Sequence, residues 1–599
     1  MADTLKQQAS SAAVAAPLTN TGAPVGEALL EHEIIHNKTA SITSDGTEFD
    51  KQLPKGDNAR RPSLSRVTSN VEYPPTPQVV AIMVAILLAV FLVALDRTII
   101  ATAIPKMTDD FHSLDDIGWY GSAFMLTSSC FQLLFGRVYT FYPPKYVFVI
   151  LIGLFEVGSA ICGAAPNSIA FIIGRAIAGV GTAGIMSGAI ILMVAAVPLH
   201  KRPQYQGFFG LCFGVASITG PLLGGVFTTK LSWRWCFYIN LPVGAVAMLI
   251  ILLILKPTPA QDGKLTIGQQ LAKLDLLGEL CLFPCIICLL LALQWGGTTY
   301  AWNDGRIIAL FVLFGVLLVA FVLVQVFMQK TATISASVIM NRSVVAGMWM
   351  VFCLSSCMMA LIYFIPTWFQ AVKGTSALRS GIDTIPMVLA LVVGSIMSGQ
   401  GVGRIGYYTP FAIASAIFMP LGAGFITTWK PNTRSPTWIG FQVLFGFGTG
   451  LGMQQGGMAA QTVLSRKDVP MGVSLMFFCQ QLGGAIFISV GQNVFESKLV
   501  SELIRLVPDL SPEEIVNTGA TDLRRIVSPQ DLPAVLEVYN SALRQVFVVA
   551  AAMACLAAIG AFALEWKSVK SKQGLAKTST TDGKHEADSE LQQKAARHD

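Results

Sequence analysis

The stretch VVAIMVAILLAVFLVALDRTIIATAI, from Val79 to Ile104, decides the fold class of this 599-residue chain. A hydrocarbon core about 30 Å thick requires roughly 20 helical residues to cross it. Lipid offers no hydrogen bonds to the backbone, so a segment of this kind must be a helix. About fourteen such stretches follow one another, and the last runs from Val546 to Leu564. The sequence therefore predicts an all-α polytopic membrane protein with about 14 transmembrane helices.

The composition agrees with a membrane bundle and excludes other classes. Hydrophobic residues make up 53% of the chain and charged residues only 13%, whereas soluble proteins usually carry about 25% charged residues. The net charge of +6 is modest, and no basic run is interleaved with aromatic residues. The lipid bilayer is thus the predicted environment, and no nucleic-acid partner is predicted.

The two ends of the chain are polar, and the apolar spans lie between them. Residues 1–75 hold no apolar run up to Glu72 and are rich in Ser, Thr, Ala and Pro, which predicts a disordered arm. Residues 76–566 form the predicted fourteen-helix domain, with an outer loop at 496–545. Within that loop the partly amphipathic stretch from Asp531 to Leu543 is expected to pack over the outer mouth. Residues 567–599 are charged and predict a disordered tail.

The loop charges orient the bundle. An even number of spans places both termini on one side, and the loops on that side carry more Lys and Arg, including Arg137, Lys145, Lys201 and Arg202. Positive loops face the cytoplasm, so both termini are predicted to be cytoplasmic. The two sequons, at Asn37 and Asn341, then face the cytoplasm, and neither is predicted to be glycosylated.

Three ionisable residues inside predicted spans are the candidate functional groups: Asp96, Glu156 and Arg175. Such residues are costly in lipid and indicate function. At 1.5 Å per residue, all three lie roughly 9–12 Å below the outer boundary, so Arg175 is within reach of either acid. Arg97 follows Asp96 by about 100° around the helix and is expected to point toward the outer interface.

An acid–base pair of this kind has two interpretations. Burial favours the protonated acid, whereas a nearby guanidinium favours the carboxylate. A pair that opens and closes with conformation would therefore bind a proton in one state and release it in the other, which is what proton coupling requires. The alternative is a static buried ion pair that fixes helix register.

Amide side chains on the later spans are candidates for lining a cavity, and cysteines on the seventh span are considered as metal ligands. Amides recur at several positions, of which Gln480 and Gln481 are the candidate cavity-lining residues; amides also join membrane helices to one another. Cys281, Cys285 and Cys288 stand at helical spacing without a histidine, and free cysteine behaves as a small hydrophobe. No metal and no cofactor are predicted.

The fifth span contains a specific glycine–proline pattern, Gly220-Pro221-Leu-Leu-Gly224-Gly225. Proline removes a helical hydrogen bond and bends the helix, and glycines four apart let a neighbour pack closely. The pattern resembles the antiporter signature on the fifth helix of the major facilitator superfamily, which is found in exporters. The first glycine of that signature is replaced here by Ala216.

Other segments extend the resemblance to the fourteen-span drug:proton antiporter family, and it looks closest to fungal toxin and multidrug efflux pumps. Leu95-Asp96-Arg97-Thr98-Ile-Ile is similar to the first-helix motif. The fourth-helix motif of that family, whose arginine is assigned to proton transfer, resembles Gly174-Arg175-Ala-Ile-Ala-Gly179-Val-Gly181. The implied major facilitator fold has two six-helix halves plus two inserted helices, here spans seven and eight. The loop from Gly136 to Lys145 departs from the family pattern because it lacks the acid and most of the basic residues.

The resemblance implies a proton-coupled secondary efflux transporter that exports a toxin, drug or secondary metabolite across the plasma membrane. Its partners would be a small amphipathic organic substrate and protons, and a vacuolar or vesicle membrane is the alternative location. No Gly-x-x-x-x-Gly-Lys-Ser/Thr sequence occurs, so ATP is not expected as the energy source. All six histidines lie outside the spans, which argues against an enzyme. The alternative function is a nutrient or siderophore uptake transporter of the same fold.

Overall fold

Long helices account for nearly all of the structure. The computed structural model describes residues 74–112, 116–255, 274–297, 300–329, 331–506, 527 and 530–570. In these ranges the only pairing of the β type is two isolated bridges. The long helices are α1 (Thr76–Phe111), α2 (Ile117–Phe141), α3 (Pro144–Ala164), α4 (Ser168–Ala196), α5 (Arg202–Lys230), α6 (Asn240–Ile254), α7 (Leu276–Trp295), α8 (Gly305–Phe327), α9 (Arg342–Ala371), α10 (Ile385–Ile405), α11 (Thr409–Ile426), α12 (Ser435–Gly452), α13 (Val469–Leu506) and α14 (Leu532–Ala563).

The prediction of an all-α membrane bundle is confirmed. Twelve helical segments of the described residues are long and apolar enough to cross a bilayer. α2 and α12 coincide with the two remaining predicted spans but fall outside that set. Both contain serine, threonine, glutamine and several glycines, which lower their mean hydropathy. The number fourteen is compatible with these helices and stays a prediction.

The helix ends follow local sequence. Proline occupies the first turn of α3 and of several other helices, where its missing N–H is harmless. The Asn167 side chain accepts a hydrogen bond of 2.9 Å from the Ala170 N–H and caps α4. Asp304 caps α8 by accepting from the Arg306 N–H at 2.8 Å. These are ordinary helix-start signals, since Asn and Asp satisfy otherwise free backbone donors.

The helix contacts show an internal duplication. α1 packs on α5 and α6, α2 on α4, and α3 on α4 and α6. In the same way α9 packs on α13 and α14, α10 on α12, and α11 on α12 and α14. The second set repeats the first with an offset of eight helices. The chain therefore has two six-helix halves, α1–α6 and α9–α14, separated by the inserted pair α7 and α8.

Two helix pairs form most of the seam, the interface between the halves: α2 with α13 and α5 with α10. In the duplication α2 corresponds to α10 and α5 corresponds to α13, so each pair is the equivalent of the other. This is expected for two halves related by a two-fold axis. Glycine permits the close approach. A methyl group built on Gly207 would lie 3.0 Å from the Ser395 carbonyl oxygen, and one on Gly136 would lie 2.6 Å from Ser474 Oγ. Two basic residues lie at the same end as these contacts, Arg137 directly after Gly136 and Arg202 five residues before Gly207, and we call this end of the bundle the basic end.

The inserted pair is attached to the seam. α7 and α8 pack on each other, and α7 also contacts α2 and α13, which belong to different halves. Near the other end of the bundle, Gln294 donates to Ser122 Oγ at 3.1 Å. The Asn493 amide donates to the Leu293 carbonyl at 3.2 Å. At the basic end, the Arg137 guanidinium donates to the Thr331 carbonyl at 2.9 Å and so ties α2 to the segment after α8.

The helices on either side extend into the outer loop predicted at 496–545, because α13 continues to Leu506 and α14 begins at Leu532. The extensions are held by apolar packing: Leu499, Leu503, Val535 and Tyr539 are buried in one cluster with Trp368 and Trp429. The Asn540 side chain accepts from Trp368 Nε1 at 2.8 Å and donates to the Trp429 carbonyl at 3.2 Å. The stretch expected to pack over the outer mouth is therefore the first part of a helix with one buried face.

The first residues of the predicted tail contact the second half. Residues 564–570 cross the loop between α10 and α11, where the Val569 N–H donates to the Gly406 carbonyl at 2.9 Å. Gly406 has φ of +91°, which favours glycine. The side chain of Val569 is buried among residues of the second half. The predicted disorder of 1–73 and 571–599, together with the sequon at Asn37, lies outside the described residues.

Candidate functional site

A buried ion pair lies inside the first half. Arg175 Nη1 of α4 is 2.5 Å from Asp96 Oδ2 of α1, and both side chains are almost completely buried, at 2% and 0% exposure. Arg175 Nε donates to the Tyr120 carbonyl at 2.9 Å. Its guanidinium carbon lies 4.4 Å from the centre of the Phe124 ring. The arginine is therefore held by a carboxylate, a backbone carbonyl and an aromatic face from three directions.

Close packing of α2 against α4 places this arginine. A methyl group built on Gly179 would collide with the Phe124 carbonyl and Thr127 Oγ1. Thr127 Oγ1 also donates across the gap to the Ala176 carbonyl at 2.8 Å. Gly179 of the fourth-helix motif thus allows the close approach that brings the Phe124 ring to the guanidinium.

The other predicted acid is not a partner of Arg175. Glu156 is buried, and neither of its carboxyl oxygens has a hydrogen-bond partner among the described residues. Its carboxyl group faces the backbone of Gly244 on α6, where a methyl group would overlap it. Asp96 also keeps one oxygen, Oδ1, without a partner. Of the two acids predicted as functional candidates, Asp96 is therefore paired with Arg175, and Glu156 has no hydrogen-bond partner among the described residues.

The expected position of Arg97 is wrong. Its guanidinium does not reach the outer interface; Nη1 instead donates to Gln481 Oε1 of α13 at 3.2 Å. The Gln481 amide in turn donates to Ser128 Oγ of α2 at 3.2 Å. The physical reason is that an amide oxygen of the opposite half and the Phe124 ring, 5.6 Å from the guanidinium carbon, offer partners inside the bundle. Arg97 consequently spans the seam.

The glycine–proline pattern faces α1. A methyl group on Gly220 would overlap the Thr98 side chain, and one on Gly224 would lie 2.9 Å from the Ile99 carbonyl. Thr98 Oγ1 donates to the Ala216 carbonyl at 3.0 Å and closes the same contact. Gly225 has no atom within 4 Å of an added methyl group, because it lies 100° further around the helix. Pro221 lies inside α5.

A small cavity of about 30 Å³ lies in the seam. The first half lines it with α4 and α5. The second half lines it with α9, α13 and the segment around the short helix Gln455–Val463. The lining side chains are Met186, Ile190, Gln206, Phe209, Phe213, Val351, Met453, Gln454, Gln461, Val473, Met476, Phe477 and Gln480, with Gly457. Gln480 is thus at the wall, whereas Gln481 is not among the lining residues and joins the two halves through Arg97.

Sequence reasoning missed three polar residues. Gln206 and Gln461 each lie one residue outside the predicted spans 207–227 and 439–460, so span boundaries drawn on hydropathy left them out. Glu279 lies in the first turn of α7 and is buried, with both carboxyl oxygens lacking a partner among the described residues. A charged residue in an apolar stretch was the signal for Glu279. Within the described residues, no group of three or more His, Cys, Asp or Glu side chains is arranged to hold a metal ion.

Comparison with known proteins identifies the family. The sequence model of the Major Facilitator Superfamily matches residues 86–488. The chain belongs to this superfamily. The two halves and the seam are therefore those of a major facilitator transporter, and the protein is a transporter rather than an enzyme.

Two fungal relatives are similar over almost the whole chain. An MFS-type efflux pump, MFS1 of Trichophyton rubrum, is 51% identical over 533 residues, which cover 89% of this chain and 99% of that protein. The rubrofusarin-specific efflux pump aurT of Gibberella zeae is 48% identical over 502 residues, covering 84% of this chain and 92% of that protein. Among solved structures, the human organic anion transporter MFSD10 aligns with a TM-score of 0.51 at 12% identity, covering 80% and 100% of the two chains. That likeness concerns the fold alone.

Proposed function

We propose that this major facilitator transporter is a secondary exporter that exchanges a small amphipathic organic molecule for protons. The observation that carries export is the identity of about half the residues, over nearly the full length, with proteins named as efflux pumps. The observation that carries proton coupling is the buried Asp96–Arg175 pair. The packing of Gly220 on Thr98 adds support, because Thr98 follows Asp96 by two residues on α1.

In the proposed cycle the halves rock about the seam, as in other transporters with a central site between repeats. Asp96 is the coupling carboxylate. Its contact with Arg175 closes in one state of the cycle and opens in the other, and proton exchange follows that change, because an unpaired carboxylate is costly in a dry interior. Glu156, unpaired beside Gly244, is a second proton-binding candidate in the same half. Neither ATP nor a cofactor takes part in this cycle.

The proposed orientation places the basic end in the cytoplasm and the protein in the plasma membrane, with vacuolar or vesicle membranes as the alternative. The positive-inside rule supports this. Asn341 at the start of α9 lies at the basic end, next to Arg342, whose Nε donates to the Ala563 carbonyl. Asn341 should therefore stay unglycosylated, which a glycosidase mobility shift would contradict.

Transport in membrane vesicles tests the proposal. Inside-out vesicles from yeast expressing the chain should accumulate uncharged aromatic metabolites, with rubrofusarin as one probe, when the vesicle interior is acidic. A protonophore should abolish the accumulation. Accumulation only in right-side-out vesicles would favour the nutrient or siderophore uptake alternative. Accumulation that survives the protonophore would contradict coupling to protons.

A further inference from the structure

Three neighbouring helices of the first half carry buried oxygen atoms that have no hydrogen-bond partner among the described residues. The atoms are Oδ1 of Asp96 on α1, both carboxyl oxygens of Glu156 on α3, and Oδ1 of Asn240 on α6. The three residues are at most 6% exposed, and α6 packs on both α1 and α3. Buried polar groups are normally satisfied, so several unsatisfied acceptors on contacting helices require an explanation.

Two contacts one turn apart fix the register of α3 against α6. The Asn240 amide donates to Ser159 Oγ at 3.2 Å, and the backbone of Gly244 lies against the carboxyl group of Glu156. Glu156 and Ser159 are three residues apart on α3, whereas Asn240 and Gly244 are four apart on α6, so the members of each pair share one helix face. Asn240, Ser159 and Glu156 therefore follow one another along this interface, and we call them the polar file.

The polar file leads from the end of the bundle opposite the basic end toward the ion pair. α3 begins at the basic end, directly after α2, and ends at Ala164. Ser159 and Glu156 lie five and eight residues before that end, which is about 8 and 12 Å along the helix axis. Asn240 is the first residue of α6. The next acid inward is Asp96, which is near enough to Glu156 for the two carboxyl groups to interact electrostatically.

A short segment covers the polar file at the end opposite the basic end. Arg234 Nη1 donates to the Ala165 carbonyl at 3.1 Å and so holds this segment on the end of α3. The short helix Trp235–Tyr238 follows and leads directly into Asn240. The Tyr238 ring lies against the backbone near the end of α3. Because of this cover Asn240 is fully buried, and a movement of the segment would open the file to solvent.

We propose that the polar file is the route by which protons from the outer side reach Asp96. The proposal rests on the proposed function, because the file supplies the coupling carboxylate of that cycle. A proton passes along water held by Asn240 Oδ1 and the Ser159 hydroxyl to a carboxylate oxygen of Glu156, and from Glu156 to Oδ1 of Asp96. Each acid becomes a carboxylate again when it transfers the proton, so charge is conserved. The unpartnered oxygens supply the about two to four polar contacts that a buried water molecule requires.

Deuterium exchange of the Glu156 carboxyl group tests the route without a substrate or a gradient. The full-length protein is reconstituted in lipid and acidified, and the infrared C=O band of protonated Glu156 is identified by its loss in Glu156→Gln. The charged groups on the helices around Glu156 are Asp96 of α1 and its partner Arg175 of α4, whereas α6 presents the uncharged Asn240 and Gly244. Asp96→Asn therefore identifies any part of the band that comes from Asp96.

Transfer to deuterium oxide shifts the band as the proton is replaced. Ser159→Ala and Asn240→Leu should each slow this shift by about tenfold, which corresponds to about 1.4 kcal/mol of barrier. Ser129→Ala is the matched control, because Ser129 is a buried serine of the same half whose hydroxyl donates to the Met125 carbonyl of its own helix at 2.8 Å. It should exchange as the wild type does.

Two results would overturn the route. One is exchange at the wild-type rate in both Ser159→Ala and Asn240→Leu, with folding verified by size-exclusion chromatography, since protons would then reach Glu156 along another path such as the seam. The other is the absence of a Glu156 band after acidification, since Glu156 would then bind no proton. Ser159→Ala removes a single oxygen atom and keeps the test decisive if Asn240→Leu fails to fold.

Vesicle transport separates this proposal from the proposed function. Slow exchange in the two variants, together with no proton-driven export by the wild type, would defeat the proposed function and leave the proton path to Glu156 intact. Proton-driven export that Ser159→Ala and Asn240→Leu leave at the wild-type rate would defeat the route alone.

Discussion

Replacing Asp96 by asparagine separates the electrostatic role of the buried pair from its structural role. Removing one partner of a buried ion pair costs about 3–5 kcal/mol of stability, because the other charge stays in low dielectric. In this site Arg175 keeps its bond to the Tyr120 carbonyl and its position over the Phe124 ring. The new amide oxygen can accept from Nη1, and a hydrogen bond to a charged group contributes about 1.5–3 kcal/mol. We therefore expect Asp96→Asn to destabilise the protein by about 1–3 kcal/mol.

The measurement uses purified variants in detergent, with thermal unfolding and vesicle transport determined in parallel. Asp96→Asn should unfold at a lower temperature and should lose proton-driven export, because its amide cannot exchange a proton. The double variant Asp96→Asn, Arg175→Met removes both charges from a dry site. Its stability should return to near the wild-type value, since replacing a buried pair by uncharged groups is often neutral or stabilising. Its export should stay absent.

Two results would refute this reasoning. Wild-type export by Asp96→Asn, with an unchanged dependence on the proton gradient, would show that Asp96 is not the coupling carboxylate. A double variant that is less stable than Asp96→Asn would show that the lost carboxylate does not leave Arg175 as an uncompensated charge. The conservative variant Asp96→Glu, which still titrates, should retain part of the proton-driven export.

Three further substitutions test helix packing and the Asn540 hydrogen bonds. Gly220→Leu should strongly reduce export and lower the stability by about 1–3 kcal/mol, because the larger side chain overpacks against α1. Its control, Gly225→Ala, changes a residue that faces open space and should transport normally. Equal transport rates for the two variants would contradict the packing of Gly220 on α1. Gly399→Leu should prevent close approach of α5 and α10 at the basic end and increase protease cleavage of the basic-end loops; unchanged cleavage would contradict this. Asn540→Ala should lower stability by about 1–3 kcal/mol, because two buried partners lose their hydrogen bonds, without changing the direction of transport; an unchanged unfolding temperature would argue against that bridge.

Hydropathy could predict the helices because a bilayer imposes one length on every span. It could not predict where helices continue beyond the bilayer. α13 reaches Leu506 and α14 begins at Leu532 because apolar residues at helical spacing, such as Leu499 and Val535, find a cluster around Trp368. That packing depends on tertiary contacts, so a span boundary drawn from local sequence ends too early.

The candidate site likewise has features that the sequence could predict and features that depend on tertiary contacts. Depth along a helix follows from residue number, so the common layer of Asp96 and Arg175 could be inferred from the sequence. The direction of a side chain around the bundle depends on which neighbour offers a partner. The prediction that Arg97 points toward the outer interface is wrong because its partner, Gln481, lies 384 positions away in the sequence. Gln206 and Gln461 were missed because the cavity extends past the apolar part of their helices toward the basic end.

One turn of α1 joins the elements that the proposed exchange needs. Successive residues of a helix point about 100° apart, and Asp96, Arg97 and Thr98 accordingly contact Arg175 of α4, Gln481 of α13 and the Ala216 carbonyl of α5. Only the middle contact crosses the seam. When the halves separate there, Arg97 loses its amide partner while Oδ1 of the adjacent Asp96 is unpartnered. The charge around the carboxylate thus depends on the distance between the halves, so the proposed proton site, although it lies wholly in one half, would respond to the movement of the other.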